Sequence, residues 1–264
     1  LAREVRATID PTTEAVTATL DVQLAALDDG VDSLRIYVDA GLDATAITCS
    51  PPGAEVSSQT LQGFRVLTVT FPPLAAGEQL ALSLDYSGTL VCEANLALCD
   101  IQPDISMLLF GSVMPFLVDD SGLGWFNLWG ASRALELSLP SGTDIVATGE
   151  VTLDVDDGTT HTMRFETPGY HTAATHVAMF GDFSRLTVPN ASPPVTVYYP
   201  TASPDGASEM AAWLEAIFAY LEGQAGKPLP WQETRVVKLP VGWITPGTAG
   251  YGLVALHEPH PPWS

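Results

Sequence analysis

Apolar and polar residues alternate along most of the chain up to about residue 200. Val16, Ala18, Leu20, Val22 and Leu24 are interleaved with Thr17, Thr19, Asp21 and Gln23. A period of two sends one set to each face, so this segment reads as a half-buried strand with one wet face. The pattern returns at Leu34, Ile36 and Val38, at Leu67, Val69 and Phe71, and at Leu80, Leu82, Leu84 and Tyr86. It recurs at Leu135, Leu137 and Leu139, at Val177, Met179 and Phe180, and at Val195, Val197 and Tyr199. Val151, Leu153 and Val155 are matched with His161, Met163 and Phe165 across Asp156-Asp157-Gly158, a hairpin signal. Asp28-Asp29-Gly30, Pro51-Pro52-Gly53, Pro72-Pro73, Ser87-Gly88 and Pro140-Ser141-Gly142 interrupt the runs as turns. Strands this dense, joined by short turns with no helix between them, predict antiparallel sheets packed as a sandwich.

Two stretches break the pattern. Between Leu90 and Trp129 the alternation loosens, and Trp125, Phe126 and Trp129 cluster. Exposed, that group would be a binding surface; buried, it is an aromatic plug for one end of the sandwich, which is the reading preferred. After residue 200 the period changes. Ser203-Pro204-Asp205 is a helix start. Met210, Trp213, Leu214, Ile217, Phe218 and Leu221 then form one apolar stripe, with Gly223 as the stop. A strand through Val236, Val237 and Leu239, a Gly-rich loop at 247–252 and a second strand ending at His257-Glu258 follow. The expected organisation is therefore mainly β: residues 1–200 as an antiparallel β-domain, and 201–264 as a small, incomplete α/β piece of one helix and two strands.

Composition narrows the function. The chain has 264 residues, enough for one large domain or a domain and part of another, and 46% apolar residues, enough for a sizeable core. No apolar run reaches about 18 residues, so no membrane-spanning helix is expected. The start at Leu1 has no signal core and no initiator Met, which points to a removed leader or an engineered start. Ten basic against 31 acidic residues give a net charge of −21. That excludes nucleic acid, whose phosphates need clustered Lys and Arg, and argues against anionic membrane surfaces. It fits an acidic solvated surface. Cys92 and Cys99 are placed to close a short loop as a disulfide, which would suit an exported protein; the alternative is that these two and Cys49 are buried or half-buried thiols.

No complete active site assembles from the residues. H-E-x-x-H is absent; His257-Glu258-Pro259-His260 has the wrong spacing, and Pro259 forbids the helix that motif needs. His171 and His176, flanking Thr172-Ala173-Ala174-Thr175, read as hydrogen-bonded structural histidines. No G-x-S-x-G occurs. Asp119 and Asp120 form a small carboxylate cluster, and Asp154, Asp156 and Asp157 another; the latter serves turn geometry, with Ca2+ as the weaker alternative. The glycines of 247–252 are no phosphate loop, because no Lys-Ser/Thr follows.

The order of pieces resembles the aminopeptidase N-like zinc metallopeptidases (gluzincins). Tyr86-Ser87-Gly88-Thr89-Leu90 is similar to the family's Y-x-G strand end, and Met114-Pro115-Phe116-Leu117-Val118-Asp119-Asp120 to its F-P-x-x-D-E-P segment. Thr175-His176-Val177-Ala178-Met179-Phe180-Gly181-Asp182-Phe183 resembles the last strands of the family's N-terminal domain. The helix followed by Gly226-Lys227-Pro228-Leu229-Pro230-Trp231 resembles the approach to its catalytic domain, and Tyr251-Gly252-Leu253-Val254-Ala255-Leu256-His257-Glu258 its substrate-edge strand. Thr248-Ala249-Gly250 departs from the family's M-E-N: Ala249 falls where a Glu grips the substrate's free amine, which speaks against aminopeptidase specificity. The resemblance implies a saddle-like N-terminal β-domain followed by the start of a thermolysin-like catalytic domain. It implies that Gly247, Thr248, Ala249, Gly250, Tyr251 and Gly252 line a cleft for a peptide substrate. Zinc, its H-E-x-x-H and a distal Glu would belong to the parent beyond Ser264, with no metal or cofactor held here and no activity for this chain alone. The remainder of the catalytic domain would be its partner. A stand-alone β-sandwich binding module of the cell envelope, or a scaffold relative without zinc ligands, is the alternative.

Overall fold

The computed structural model describes residues 2–92, 99–102, 104–109, 112–118, 132–168, 177–189, 191–225, 232–239 and 247–257. The first half contributes β1 (Ala2–Asp10), β2 (Ala15–Ala25), β3 (Val31–Asp39), β4 (Leu42–Ser50), β5 (Glu55–Leu61), β6 (Phe64–Leu74), β7 (Gln79–Thr89), β8 (Cys99–Asp100), β9 (Ile105–Leu109) and β10 (Phe116–Val118). The second half adds β11 (Ser132–Pro140), β12 (Asp144–Ala147), β13 (Glu150–Asp156), β14 (Thr160–Thr167), β15 (Val177–Gly181), β16 (Phe183–Val188), β17 (Val195–Pro200), α1 (Ala207–Ala225), β18 (Thr234–Leu239), β19 (Gly247–Gly250) and β20 (Leu253–His257).

The alternating segments form a seven-stranded sheet in the order β13-β14-β11-β1-β2-β7-β4, covered by a four-stranded sheet β10-β3-β6-β5. Their inward residues, among them Leu20, Ile36, Leu67, Leu84 and Tyr86, share one core. A mainly β sandwich is thus what the period of two delivers. The pairing is antiparallel except that β1 runs parallel to β11, Val5 beside Leu135. No local pattern announces that pair: its strands are separated by most of the domain, and the apolar residues that β1 buries are the modest Val5, Ala7 and Ile9, with the cation Arg3 buried on the same face.

In the hairpin of β13 and β14, Val151 faces the buried Phe165, but the register slips between Val151 and Leu153. Leu153 then sits opposite Arg164 and Val155 opposite Thr162. Val151, Leu153 and Val155 are nonetheless 42%, 38% and 49% exposed, before the slip and after it, because β13 is the end strand of its sheet and both of its faces meet solvent.

A third sheet, β12-β15-β9-β8, packs its Met107, Val146, Val177 and Met179 against Val237, Leu239, Leu253 and Ala255 of a five-stranded sheet, β16-β17-β18-β20-β19. This last sheet straddles residue 200. β16 and β17 pair antiparallel before it, and β17 crosses through α1 to the parallel β18. The described residues after 200 thus form one helix and three strands, not two, because residues 247–250 pair with β20 instead of forming a loop. Glycine-rich sequence carries no alternation, so only the partner strand reveals this one.

α1 covers the opposite face of that sheet with Met210, Ala211, Leu214 and Phe218 on Val195, Val197 and Val236. Trp213 and Ile217, expected in the same stripe, are 49% and 45% exposed, as is Tyr220 at 65%. At about 100° per residue these three lie on one flank of the buried stripe. The helix also runs through Gly223 to Ala225. No described helix is long and apolar enough to cross a membrane.

Candidate functional site

The strand sequence Thr-Arg-Val-Val-Lys-Leu of β18 is buried on both faces, cations included: Arg235 is 4% and Lys238 3% exposed. Lys238 donates to the Ser203 and Asp205 carbonyls at the start of α1. β18 pairs parallel with β20, and β20 pairs antiparallel with β19, Thr248 beside Ala255 and Ala249 beside Val254. β19 ends the sheet and pairs with no other strand among the described residues. A row of backbone N–H and C=O groups on such an edge is a template for an added extended strand.

Tyr251 and Gly252 turn the chain between β19 and β20. Gly252 has φ +68°, and a Cβ there would lie 3.1 Å from the Glu233 carbonyl oxygen. Only glycine takes this turn at this separation. The turn is fastened on two sides. The Arg235 N–H donates to the Gly252 carbonyl (2.8 Å), and the Gly149 N–H to the Tyr251 carbonyl (2.9 Å). The Tyr251 hydroxyl donates to Glu150 Oε1 at 3.1 Å. Arg235 Nη2 donates to the Gly149 carbonyl, and its guanidinium carbon lies 5.5 Å from the centre of the Phe165 ring. Burial lowers the Arg235 pKa from its ordinary value, against the pull of Glu233. The described hairpin therefore sits against the loop and first residue of β13, which belong to the seven-stranded sheet.

Of the residues singled out by sequence, Gly247, Thr248, Ala249 and Gly250 form β19, and Tyr251 and Gly252 its turn. Cys92 and Cys99 are joined in a disulfide. Beside it the buried Asp39 carboxylate accepts the N–H groups of Gly41, Val91 and Cys92. Among the described residues, Asp39, Cys92 and Cys99 are the one trio of metal-type donors brought together. Thiolates are what a soft metal needs, and these sulfurs are bonded to each other. The trio does not fit zinc.

Asp156 accepts from the Gly158 and Gly142 N–H groups and the Ser141 hydroxyl, and Asp157 from the Thr159 and Thr160 N–H groups. Their oxygens serve the turns. His161 contacts the Thr143 carbonyl through Nδ1 (2.6 Å) and Asp154 through Nε2 (2.8 Å). Burial opposes its protonation, but these two bonds outweigh it and raise its pKa. Its contribution to stability is therefore complete below the ordinary histidine value of about 6.5 and disappears as pH rises through the folded value. The stability gap between wild type and His161→Gln, followed by urea unfolding, should be widest at about pH 5.5 and narrow as pH rises through the folded value. An equal gap at both ends would disprove the assignment.

An open groove of about 770 Å3 runs over the exposed face of the seven-stranded sheet, past Asp21, Ser83, Glu4, Arg164 and Glu166 to Glu150. Arg164 is ion-paired with Glu4, Glu136 and Glu166. His171, His176, Asp119, Asp120, Trp125, Phe126, Trp129, Glu258, Pro259, His260 and the segment 226–231 lie outside the described residues. Sequence reasoning passed over Gly149, Glu150 and Arg235. The available signal was Arg235 itself, a charge set in a strand of buried residues.

No family model and no curated protein matches the sequence. Solved structures do match. An M1 zinc metallopeptidase from Deinococcus radiodurans superimposes with a TM-score of 0.67 at 18% identity, covering 97% of this chain and 59% of that one. A glutamate-to-alanine mutant of M1 zinc metallopeptidase from the same organism gives a TM-score of 0.64 at 18% identity over the same shares. The chain thus has a fold found in M1 zinc metallopeptidases and spans 59% of the length of the solved structures it matches.

Proposed function

We propose that this chain is the N-terminal part of an exported, zinc-dependent peptidase, in which β19 holds the backbone of an extended peptide substrate. The observation that carries the reading is the position of β19: an antiparallel edge strand, closed by the Tyr251–Gly252 turn, in a fold shared with zinc metallopeptidases. The main chain of β19 supplies the hydrogen bonds for β-addition, and such bonds are indifferent to side-chain identity. Alanine at 249 has no carboxylate for a free amine, so the substrate end need not be an amino terminus.

The described donors do not form a zinc site, so the metal belongs in this proposal to the remainder of the catalytic domain. That remainder is the partner that covers the bare flank of α1 at Trp213, Ile217 and Tyr220. The Cys92–Cys99 disulfide supports an oxidising compartment.

The test uses the natural reading frame past Ser264 and the protein it encodes. The expected frame carries H-E-x-x-H with a downstream Glu, and its product cleaves an internally quenched peptide blocked at both ends, with activity lost to a chelator and restored by zinc. The 264-residue chain alone should be inert. Stoichiometric zinc and hydrolysis by this chain alone would overturn the placement of the site. A frame without those ligands would make the protein a non-catalytic relative.

A further inference from the structure

We propose that Arg235, Glu150 and Tyr251 are positioning residues that hold the peptide-binding edge at a fixed angle, so that the β-domain takes part in substrate binding. The inference rests on the reading of β19 as the peptide edge. β19 has four residues and, among the described residues, a single partner strand. So short a strand is tied to its five-stranded sheet through β20 alone, and an edge that tilts forfeits the alignment that main-chain bonds to a peptide require. Something beyond β20 has to fix it. The contacts that do so converge on the turn. Gly149 and Glu150 each bond Tyr251, one through the main chain and one through the hydroxyl. Arg235 bonds Gly252 through its N–H and Gly149 through its side chain. One residue of β18 thereby ties the hairpin to the β-domain.

The arginine is not placed there for stability alone. Its Nε and Nη1 have no hydrogen-bond partner among the described residues, although the side chain is 4% exposed. Unmet buried N–H groups are costly, and a hydrocarbon side chain would fill the space above Phe165 without that cost. What a hydrocarbon lacks is the fork that reaches the Gly149 carbonyl. The cost is consistent with a residue retained for geometry.

The experiment measures amide hydrogen exchange and the binding of a dansylated, doubly blocked alternating Val-Thr hexapeptide to the 264-residue chain. Tyr251→Phe and Glu150→Ala each remove the same bond. Each should speed exchange in β19 and β20 about fivefold and weaken peptide binding by a similar factor. Exchange in β2 and β7 should not change. Glu150→Gln keeps an acceptor and should behave as wild type, and the Tyr251→Phe/Glu150→Ala double variant should be no worse than either single one. Arg235→Lys, which keeps the charge without the fork, should loosen the same segment. Equal acceleration throughout the protein, or none at the hairpin, would overturn the positioning role. If wild type fails to bind the hexapeptide, the peptide-edge reading falls, while hairpin exchange still decides whether these residues fix the strand.

Discussion

Phe165→Ala is expected to destabilise the protein by about 4 kcal/mol, the cost of emptying a large, fully packed aromatic site. Phe165 is 1% exposed on β14, level with Leu135 of β11 and Val151 of β13. Its ring is part of the sandwich core and also the surface under the Arg235 guanidinium. Truncation therefore opens a cavity and strips a buried cation of an aromatic face, a contact of about 1–2 kcal/mol when desolvated. At roughly 2–4 °C per kcal/mol for a chain of this size, the midpoint should fall by about 10 °C. Phe165→Leu, which fills most of the volume but offers no ring, should lose about half as much. Thermal and urea unfolding check both. A loss below about 1 kcal/mol for the alanine variant would mean that the site collapses or that Phe165 is not packed as described.

Gly41→Ala should cost about 3 kcal/mol for the opposite reason, an atom added where there is no room. A Cβ at Gly41 would lie 1.8 Å from the Thr89 carbonyl oxygen at the end of β7. Backbone cannot swing aside as a flexible side chain does, so the link between β3 and β4 has to move. That link is also held by the Asp39 carboxylate, which takes the Gly41, Val91 and Cys92 N–H groups. The variant should therefore disturb the disulfide loop as well as β4, visible as faster reduction of Cys92–Cys99 by a thiol. Unchanged stability and unchanged reduction would rule out the close approach.

Much of the fold could be read in the order of residues. The alternation at 16–24 and at 80–86 fixed which side chains face inward, and these residues pair in register, Leu20 with Leu84 and Val22 with Leu82. The change of period after residue 200 marked the helix. Both signals are local: a side chain's face follows from its parity in a strand or its angle on a helix. The resemblance to aminopeptidase N-like metallopeptidases agrees with the fold of the structural neighbours for the same reason, since it rested on the order of such pieces.

What the sequence could not state is set by contacts between distant segments. Val151, Leu153 and Val155 stayed exposed because β13 came to lie at the end of its sheet, and strand order leaves no compositional mark. The flank of α1 at Trp213 and Ile217 stayed open because burial depends on where the sheet ends, not on hydrophobicity. β19 became an edge only by the order in which five strands were laid side by side. The clasp of Gly149, Glu150, Arg235 and Tyr251 joins residues about a hundred positions apart, so no window along the chain contains it. Sequence by itself determined the elements and their inward faces, because those are one-body properties of a residue and its neighbours. Tertiary structure decided the edge, the turn that holds it and the cation beneath it, because hydrogen bonds and close approach depend on pairs of segments that only folding brings together.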